Sequence, residues 1–167
     1  MQLREKININ SEKKEELTIA KTIEADDLLN LIYQGESIPQ DRRFLPIEEG
    51  GVFEYFSLED LIDPNNKKED FLYPIVEFKN KIVGLAELQK NPHAEKNFWI
   101  KGVNVDSEYR GRGYSRKLIE EICRFANERG FSLTPSSYSE EGKEHNLERI
   151  IQEFAKKFSV DILNNRR

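Results

Sequence analysis

The hydrophobic and polar positions of this chain change their period several times, and each change predicts an element. A short alternating stretch, "LREKINI" from Leu3 to Ile9, leads into the charge run "SEKKEE" from Ser11 to Glu16, which is expected to be a solvated turn or tail. "LTIAK", Leu17 to Lys21, reads as a strand, and a helix is expected from about Glu24 to Gln34. Within it Leu28, Leu31 and Ile32 recur at helical spacing, and Gly35 stands where a stop belongs. From Tyr73 the period drops to two. "YPIVEF" and "KIVGLAELQ" are strand-like runs joined through Lys79-Asn80, a pair compatible with a tight hairpin, and "FWIKGVNV" from Phe98 to Val105 adds a third strand. The helical period returns from about Gly113 to Glu128, with Leu118, Ile119, Ile122, Phe125 and Ala126 on one stripe and Gly130 at the end.

After that helix, "FSLTP" reads as a short strand, "SSYSEEG" as a polar turn, and residues from about Lys143 to Phe158 as a second clear helix with Leu147, Ile150, Ile151 and Phe154 inward. "SVDIL" is expected to be a last strand. The region from Glu36 to Phe71 is the least regular. It holds Pro39, Pro46 and Pro64, the pair Gly50-Gly51 and the polar run "DPNNKKED", with room for a short helix at Leu58 to Ile62. Such a region either shapes a substrate pocket or is an irregular surface. The order β, α, irregular, β-β-β, α, β, α, β contains no internal repeat. It predicts an α/β fold with a mixed, mostly antiparallel central sheet flanked by helices, as one domain over residues 1–167.

Composition removes several function classes. No apolar run approaches the roughly 20 residues of a spanning helix, and the N-terminal stretch lacks the apolar core of a signal peptide, so no membrane association and a cytoplasmic location are expected. With one cysteine, Cys123, and two histidines, His93 and His145, no metal-ligand spacing such as C-x-x-C or H-E-x-x-H occurs, and no metal is expected. Lysine and arginine number 26 against 31 carboxylates, a formal charge of −5 that disfavours nucleic acid as a partner and suits a cationic substrate.

The candidate chemistry lies in "VDSEYRGRGYSRKLIEE", Val105 to Glu121. Glycine costs about 1 kcal/mol relative to alanine inside a helix, so two of them at a helix entrance suggest that bare backbone is needed there. The first N–H groups of a helix have no partner within it, and the helix dipole adds positive potential, which makes this junction a natural anion site. Gly111 and Gly113 let the backbone approach phosphate oxygens, Arg110 and Arg112 add charge, and Ser115 offers a hydroxyl. The alternative is a glycine-eased turn. Neither G-x-x-x-x-G-K-[ST] nor a full G-x-G-x-x-G is present.

"VNVDSEYRGRGYSRKL" resembles motif A of the GNAT superfamily of N-acetyltransferases, Val-x-Pro-x-x-Arg-Gly-x-Gly-[Ile/Leu/Tyr]-[Gly/Ala], through Val105, Arg110, Gly111 and Gly113. Ser107 stands where that family often has proline, and Ser115 where it has glycine or alanine. The element order is similar as well, closely over Ile82 to Gly130 and more loosely over Leu17 to Leu163. The resemblance implies a GNAT-like fold and acetyl-CoA as co-substrate. Its pyrophosphate would lie on the N–H groups of Gly111 to Ser115, its pantetheine amides on the backbone of Val103 and Val105, and Tyr114 beside it. The implied reaction is direct attack by a primary amine of a small molecule, peptide or protein on the acetyl thioester, positioned by backbone geometry without a covalent enzyme intermediate.

A lysine-like amine is neutral in roughly one molecule in a few thousand at pH 7, so a base should help. Glu87 is the first candidate, because alternation in "KIVGLAELQ" puts it on the face of Val83 and Leu85, where apolar neighbours make a carboxylate hold its proton more tightly; the alternative is a strand end turning into water. For protonating the departing thiolate, where the family often uses a tyrosine, Tyr138 is nearest in chain order and His145 is the substitute. Trp99 and Cys123 read as packing residues. Two other functions compete with the enzyme: an acyl-CoA-binding sensor or interaction domain of the same fold, and a nucleic-acid binder using Arg110, Arg112, Arg166 and Arg167, which the charge disfavours. The acceptor and the oligomeric state stay open, a homodimer included.

Overall fold

A computed structural model describes residues 18–33, 50–54, 65, 67–136 and 146–163. The readings at Leu3–Ile9, Ser11–Glu16 and Leu58–Ile62, and those at Tyr138 and His145, fall outside the described residues. Five strands form one sheet in chain order: β1 (Thr18–Glu24), β2 (Phe71–Phe78), β3 (Lys81–Lys90), β4 (Asn97–Val105) and β5 (Ser132–Pro135). The first four are antiparallel and β5 is parallel to β4, so the sheet is mixed and mostly antiparallel, as expected. Lys79 and Asn80 both take positive φ, 49° and 63°, the two-residue turn whose twist matches that of the strands it joins.

Helix α1 (Ala25–Tyr33) packs on one face of the sheet, while α2 (Tyr114–Arg129) and α3 (Leu147–Phe158) pack on the other. The first core joins Leu28 and Leu29 of α1 to Tyr73, Ile75 and Leu85. The second joins Leu118, Ile119 and Ile122 of α2 and Ile151 and Phe154 of α3 to Val76, Ala86, Leu88, Phe98 and Ile100. In α1 the buried stripe runs through Ala25, Leu28, Leu29 and the half-buried Ile32, an i, i+3, i+4, i+7 set. Leu31, expected inward, lies outside that stripe and is 41% exposed. Helix α2 ends as expected, with Gly130 at φ 68° giving its N–H to the carbonyls of Ala126 and Asn127.

Two further expectations are corrected. The strand expected in "SVDIL" is a single parallel bridge, Leu133 to Ile162, closed by Leu133 N–H to Asp161 O (2.9 Å) and Leu163 N–H to Leu133 O (2.8 Å). In β3, Val76 pairs with Gly84 but Glu77 with Ile82, so Val83 is bulged out of the β2 ladder. The bulge breaks the alternation: Val83 joins the α2 core, whereas Leu85 lies in the α1 core with Glu87 beside it, bonded to Tyr73. Glu87 and Val83 therefore occupy opposite faces.

Candidate functional site

Strand β4 is paired on both sides only along its first half. Asn97 to Ile100 lie opposite Ser132 to Pro135 of β5, and Pro135, without an N–H, comes last in that ladder. The N–H of Ser136 bonds the carbonyl of Ile100 at 3.1 Å. Beyond it, Lys101 to Val105 keep β3 on one side and have no strand partner on the other among the described residues.

A second bulge decides which amides face that open edge. Glu87 pairs with Gly102 but Leu88 with Ile100, so Lys101 is the extra residue. The Ile100 carbonyl points to the β5 side, whereas the N–H of Asp106 points to β3, bonding Val83 O at 2.9 Å. In a regular strand these two residues would point the same way; the one-residue insertion reverses the sense between them. By alternation back from Asp106, the backbone groups of Val103 and Val105 face the open edge. The side chain of Arg110 reaches Val105 from that direction, its Nε donating to the carbonyl at 3.2 Å.

The turn that follows β4 is held from inside. The buried carboxylate of Asp106 accepts the N–H of Glu108 (3.0 Å), capping a single helical turn over Ser107–Tyr109, and lies 3.7 Å from Lys81 Nζ. The chain then passes through Gly111 (φ 78°) and Gly113 (φ 82°), left-handed conformations that favour glycine, and α2 begins at Tyr114. A Cβ at either glycine would meet nothing within 4 Å, so bare backbone faces open space on this side. The first intrahelical bond is Lys117 N–H to Gly113 O (3.2 Å), which leaves the amides at the entrance to α2 unused within the helix. Arg110 and Arg112 are exposed, and the Arg112 guanidinium lies 5.1 Å from the Tyr109 ring centroid. The ring of Tyr114 is buried against Phe78 and Tyr109, and Ser115 is half-buried. Strand end, glycine turn and helix start thus follow one another within residues 103–115.

Glu87 lies on the neighbouring strand, on the α1 face, and is 5% exposed. The hydroxyl of Tyr73 donates to its Oε2 at 3.2 Å, and Lys101 Nζ is 3.7 Å from Oε1 and 5.7 Å from the Phe71 ring centroid. The apolar setting expected for this carboxylate is therefore supplemented by a hydroxyl and an ammonium. Sequence reading missed both, because Lys101 reaches Glu87 through the bulge. It also missed Asn104, whose Nδ2 donates to Val52 O (3.0 Å) and Gly51 O (3.3 Å), while Ser107 N–H bonds Gly50 O (2.9 Å). Part of the irregular region is thereby fixed beside the open half of β4. Cys123 is fully buried, and burial pushes its thiol up to about 12, in keeping with a packing role. Trp99 is half-buried, its ring 6.3 Å from that of His93. Among the described residues no three His, Cys, Asp or Glu side chains are grouped to hold a metal, and no helix is long and apolar enough to cross a membrane.

Among the described residues, the fold is a five-stranded sheet whose fourth strand lacks a second partner beside a glycine turn and helix start. The chain belongs to the acetyltransferase (GNAT) family, whose model matches residues 31–146, and it is an enzyme of that class. Its fold is similar to that of an aminoglycoside acetyltransferase from an uncultured soil metagenomic sample, solved in complex with trehalose (TM-score 0.52, 20% identity, 82% of this chain and 88% of that chain). The sisomicin complex of that enzyme gives a TM-score of 0.52 at 20% identity over 83% and 89% of the two chains. The ribosomal-protein-S18-alanine N-acetyltransferase from Escherichia coli gives 0.50 at 19% identity over 79% and 74%. No curated protein sequence matches the chain.

Proposed function

We propose that this protein transfers an acetyl group from acetyl-CoA to a primary amine by direct attack. The observation that carries the proposal is the bare main chain at Gly111 and Gly113, where a Cβ would meet nothing within 4 Å, leading into α2 beside the half of β4 that has no second strand partner among the described residues. The pyrophosphate fits the amides of Gly111 to Ser115, with Arg110 and Arg112 at the rim, and the pantetheine amides fit the backbone of Val103 and Val105. Extended in this way, acetyl-CoA adds to the sheet beyond the last β4–β5 pair, and a main-chain N–H of β4 can polarise the thioester carbonyl.

The amine comes from the α1 face. Glu87, supported by Tyr73, accepts its proton as the nitrogen attacks the carbonyl carbon, and the CoA thiolate is protonated on departure, a role we assign to Tyr138. Its similarity in fold to an aminoglycoside acetyltransferase and a ribosomal-protein-S18-alanine N-acetyltransferase supports this class of acceptor, as does the net charge of −5.

Thermal unfolding with and without acetyl-CoA tests the binding step. At about a hundred times its Kd the ligand stabilises the folded chain by ~2.7 kcal/mol, raising Tm by roughly 5–10 °C. Thiol release from acetyl-CoA over a panel of primary amines tests the transfer. No shift in Tm with acetyl-CoA, or no thiol release with any amine, overturns the proposal.

A further inference from the structure

The carboxylate proposed as the base already holds a primary amine of this chain. Lys101 Nζ lies 3.7 Å from Glu87 Oε1, and the Lys101 side chain is 37% exposed while that of Glu87 is 6% exposed. The ammonium also sits 5.7 Å from the Phe71 ring centroid, an arrangement in which a carboxylate and an aromatic face hold one cation. The bulge in β4 produces this: Lys101 is the residue squeezed out between Ile100 and Gly102, on the same side of the sheet as Glu87 and two residues before Val103. Two residues of strand span roughly 6–7 Å, which a lysine side chain can cover, so an ammonium anchored at Glu87 lies within reach of a thioester bound along Val103 and Val105.

We infer that Lys101 is a self-acetylation site, modified by the same machinery that acts on external amines. The inference rests on the proposed function. Glu87 takes one proton from the Lys101 ammonium, and the neutral nitrogen attacks the carbonyl carbon of acetyl-CoA. As the C–N bond forms and the C–S bond breaks, Tyr138 gives its proton to the leaving sulfur and is restored by the second nitrogen proton. The products are Nζ-acetyl-lysine, CoA thiol and one proton left on the carboxylate for water. The reaction stops after one event, because the acetylated side chain is no longer a nucleophile, and it removes the cation that pairs with Glu87.

The test is peptide mapping by mass spectrometry of the full chain incubated with acetyl-CoA and no amine. The expected result is one acetyl group, on Lys101, formed at least about tenfold faster than on the exposed lysines Lys90 and Lys96, and slowed roughly a hundredfold by Glu87→Gln. Acetyl-Lys101 already present in the purified chain and absent from purified Glu87→Gln counts as the same result. Lys101→Arg keeps the pairing cation, removes the acetylated peptide and retains the rise in Tm with acetyl-CoA, which shows that the variant is folded. If acetyl-CoA raises Tm and external amines turn over while Lys101 stays unmodified, or reacts no faster than Lys90, or reacts equally in Glu87→Gln, the inference fails and the proposed function stands. If acetyl-CoA gives no shift, both fail.

Discussion

The two halves of β4 share one backbone and serve opposite ends. From Asn97 to Ile100 the strand is enclosed, with β3 and β5 on its two sides and Phe98 and Ile100 buried under α2. Even its polar residue is internally satisfied: Asn97, 1% exposed, donates to Ser132 Oγ (2.8 Å) and accepts from Asn91 (3.0 Å) and Thr134 (3.2 Å). From Lys101 to Val105 one edge has no strand partner among the described residues, the side chain of Asn104 turns to the carbonyls of Gly51 and Val52, and the next turn exposes two glycines. A cavity of about 400 Å³ lies at the enclosed end, against Asn91, His93 and Asn97, away from the open half. In the proposed function, ligand binding draws on main chain without a strand partner, and the enclosed half supplies the rigidity that keeps it in place.

The largest effect is expected where the enclosed half is broken. The ring of Phe98 is 1% exposed and stacks on Phe131 with centroids 4.3 Å apart. Phe98→Ala should cost about 3–5 kcal/mol and lower Tm by roughly 10–15 °C, while acetyl-CoA affinity measured well below the new Tm stays close to that of the parent chain. A large loss of affinity in the folded variant would mean that the two halves are not separable. Gly113→Val attacks the other half. Its side chain meets nothing in the chain, so the apo protein bears only the strain of φ 82°, about 1–2 kcal/mol, whereas the ~2.7 kcal/mol gained from acetyl-CoA should vanish. Calorimetric binding that is unchanged in Gly113→Val would remove the phosphate site from this turn.

Glu87→Gln is expected to act on rate alone, lowering kcat for an amine acceptor roughly a hundredfold with KM for acetyl-CoA nearly constant. The substitution keeps the shape of the side chain and its bond from Tyr73, so a fall in kcat without a fall in Tm separates chemistry from packing. Equal kcat in both proteins would return Glu87 to a structural ion pair.

Much of this arrangement was legible in the sequence, for identifiable reasons. The hairpin at Lys79-Asn80, the helix between Gly113 and Gly130 and the glycine turn itself are each specified by local residues, and each lies where the pattern put it. What was not legible depends on insertions in the ladder. The bulges at Val83 and Lys101 leave the hydrophobic alternation looking continuous, yet the first moves Val83 to the far face from Glu87 and the second delivers Lys101 to that carboxylate. The inward face of α1 was misread by one position because Leu28, Leu29, Leu31 and Ile32 satisfy two overlapping helical stripes, and contact with Tyr73, Ile75 and Leu85 selects between them. The bonds from Asn104 and Ser107 to residues 50–52 join segments over 50 residues apart, a separation that no local pattern reports.

Helix α2 belongs to both halves, since its N-terminus forms the open strip and its inner face covers the enclosed core, and Cys123 tests whether that face is dry. The thiol is fully buried, and desolvation raises it from the ordinary value of 9.0 to about 12. Below pH 9 both the folded and the unfolded chain keep the proton, and the group adds no pH dependence. Above pH 9 the unfolded chain releases it while the folded chain retains it up to about 12, so the unfolded state is favoured progressively and stability falls through that window, by at most about 1.4 kcal/mol per pH unit. Urea unfolding at pH 8 and pH 10 should therefore show the advantage of the parent chain over Cys123→Ala shrinking at the higher pH, and iodoacetamide should label the native thiol far more slowly than the unfolded one. A constant difference between the two proteins, or rapid labelling of the native chain at pH 8, would show that water reaches the core side of α2, and the open end of the helix would then no longer contrast with its inner face.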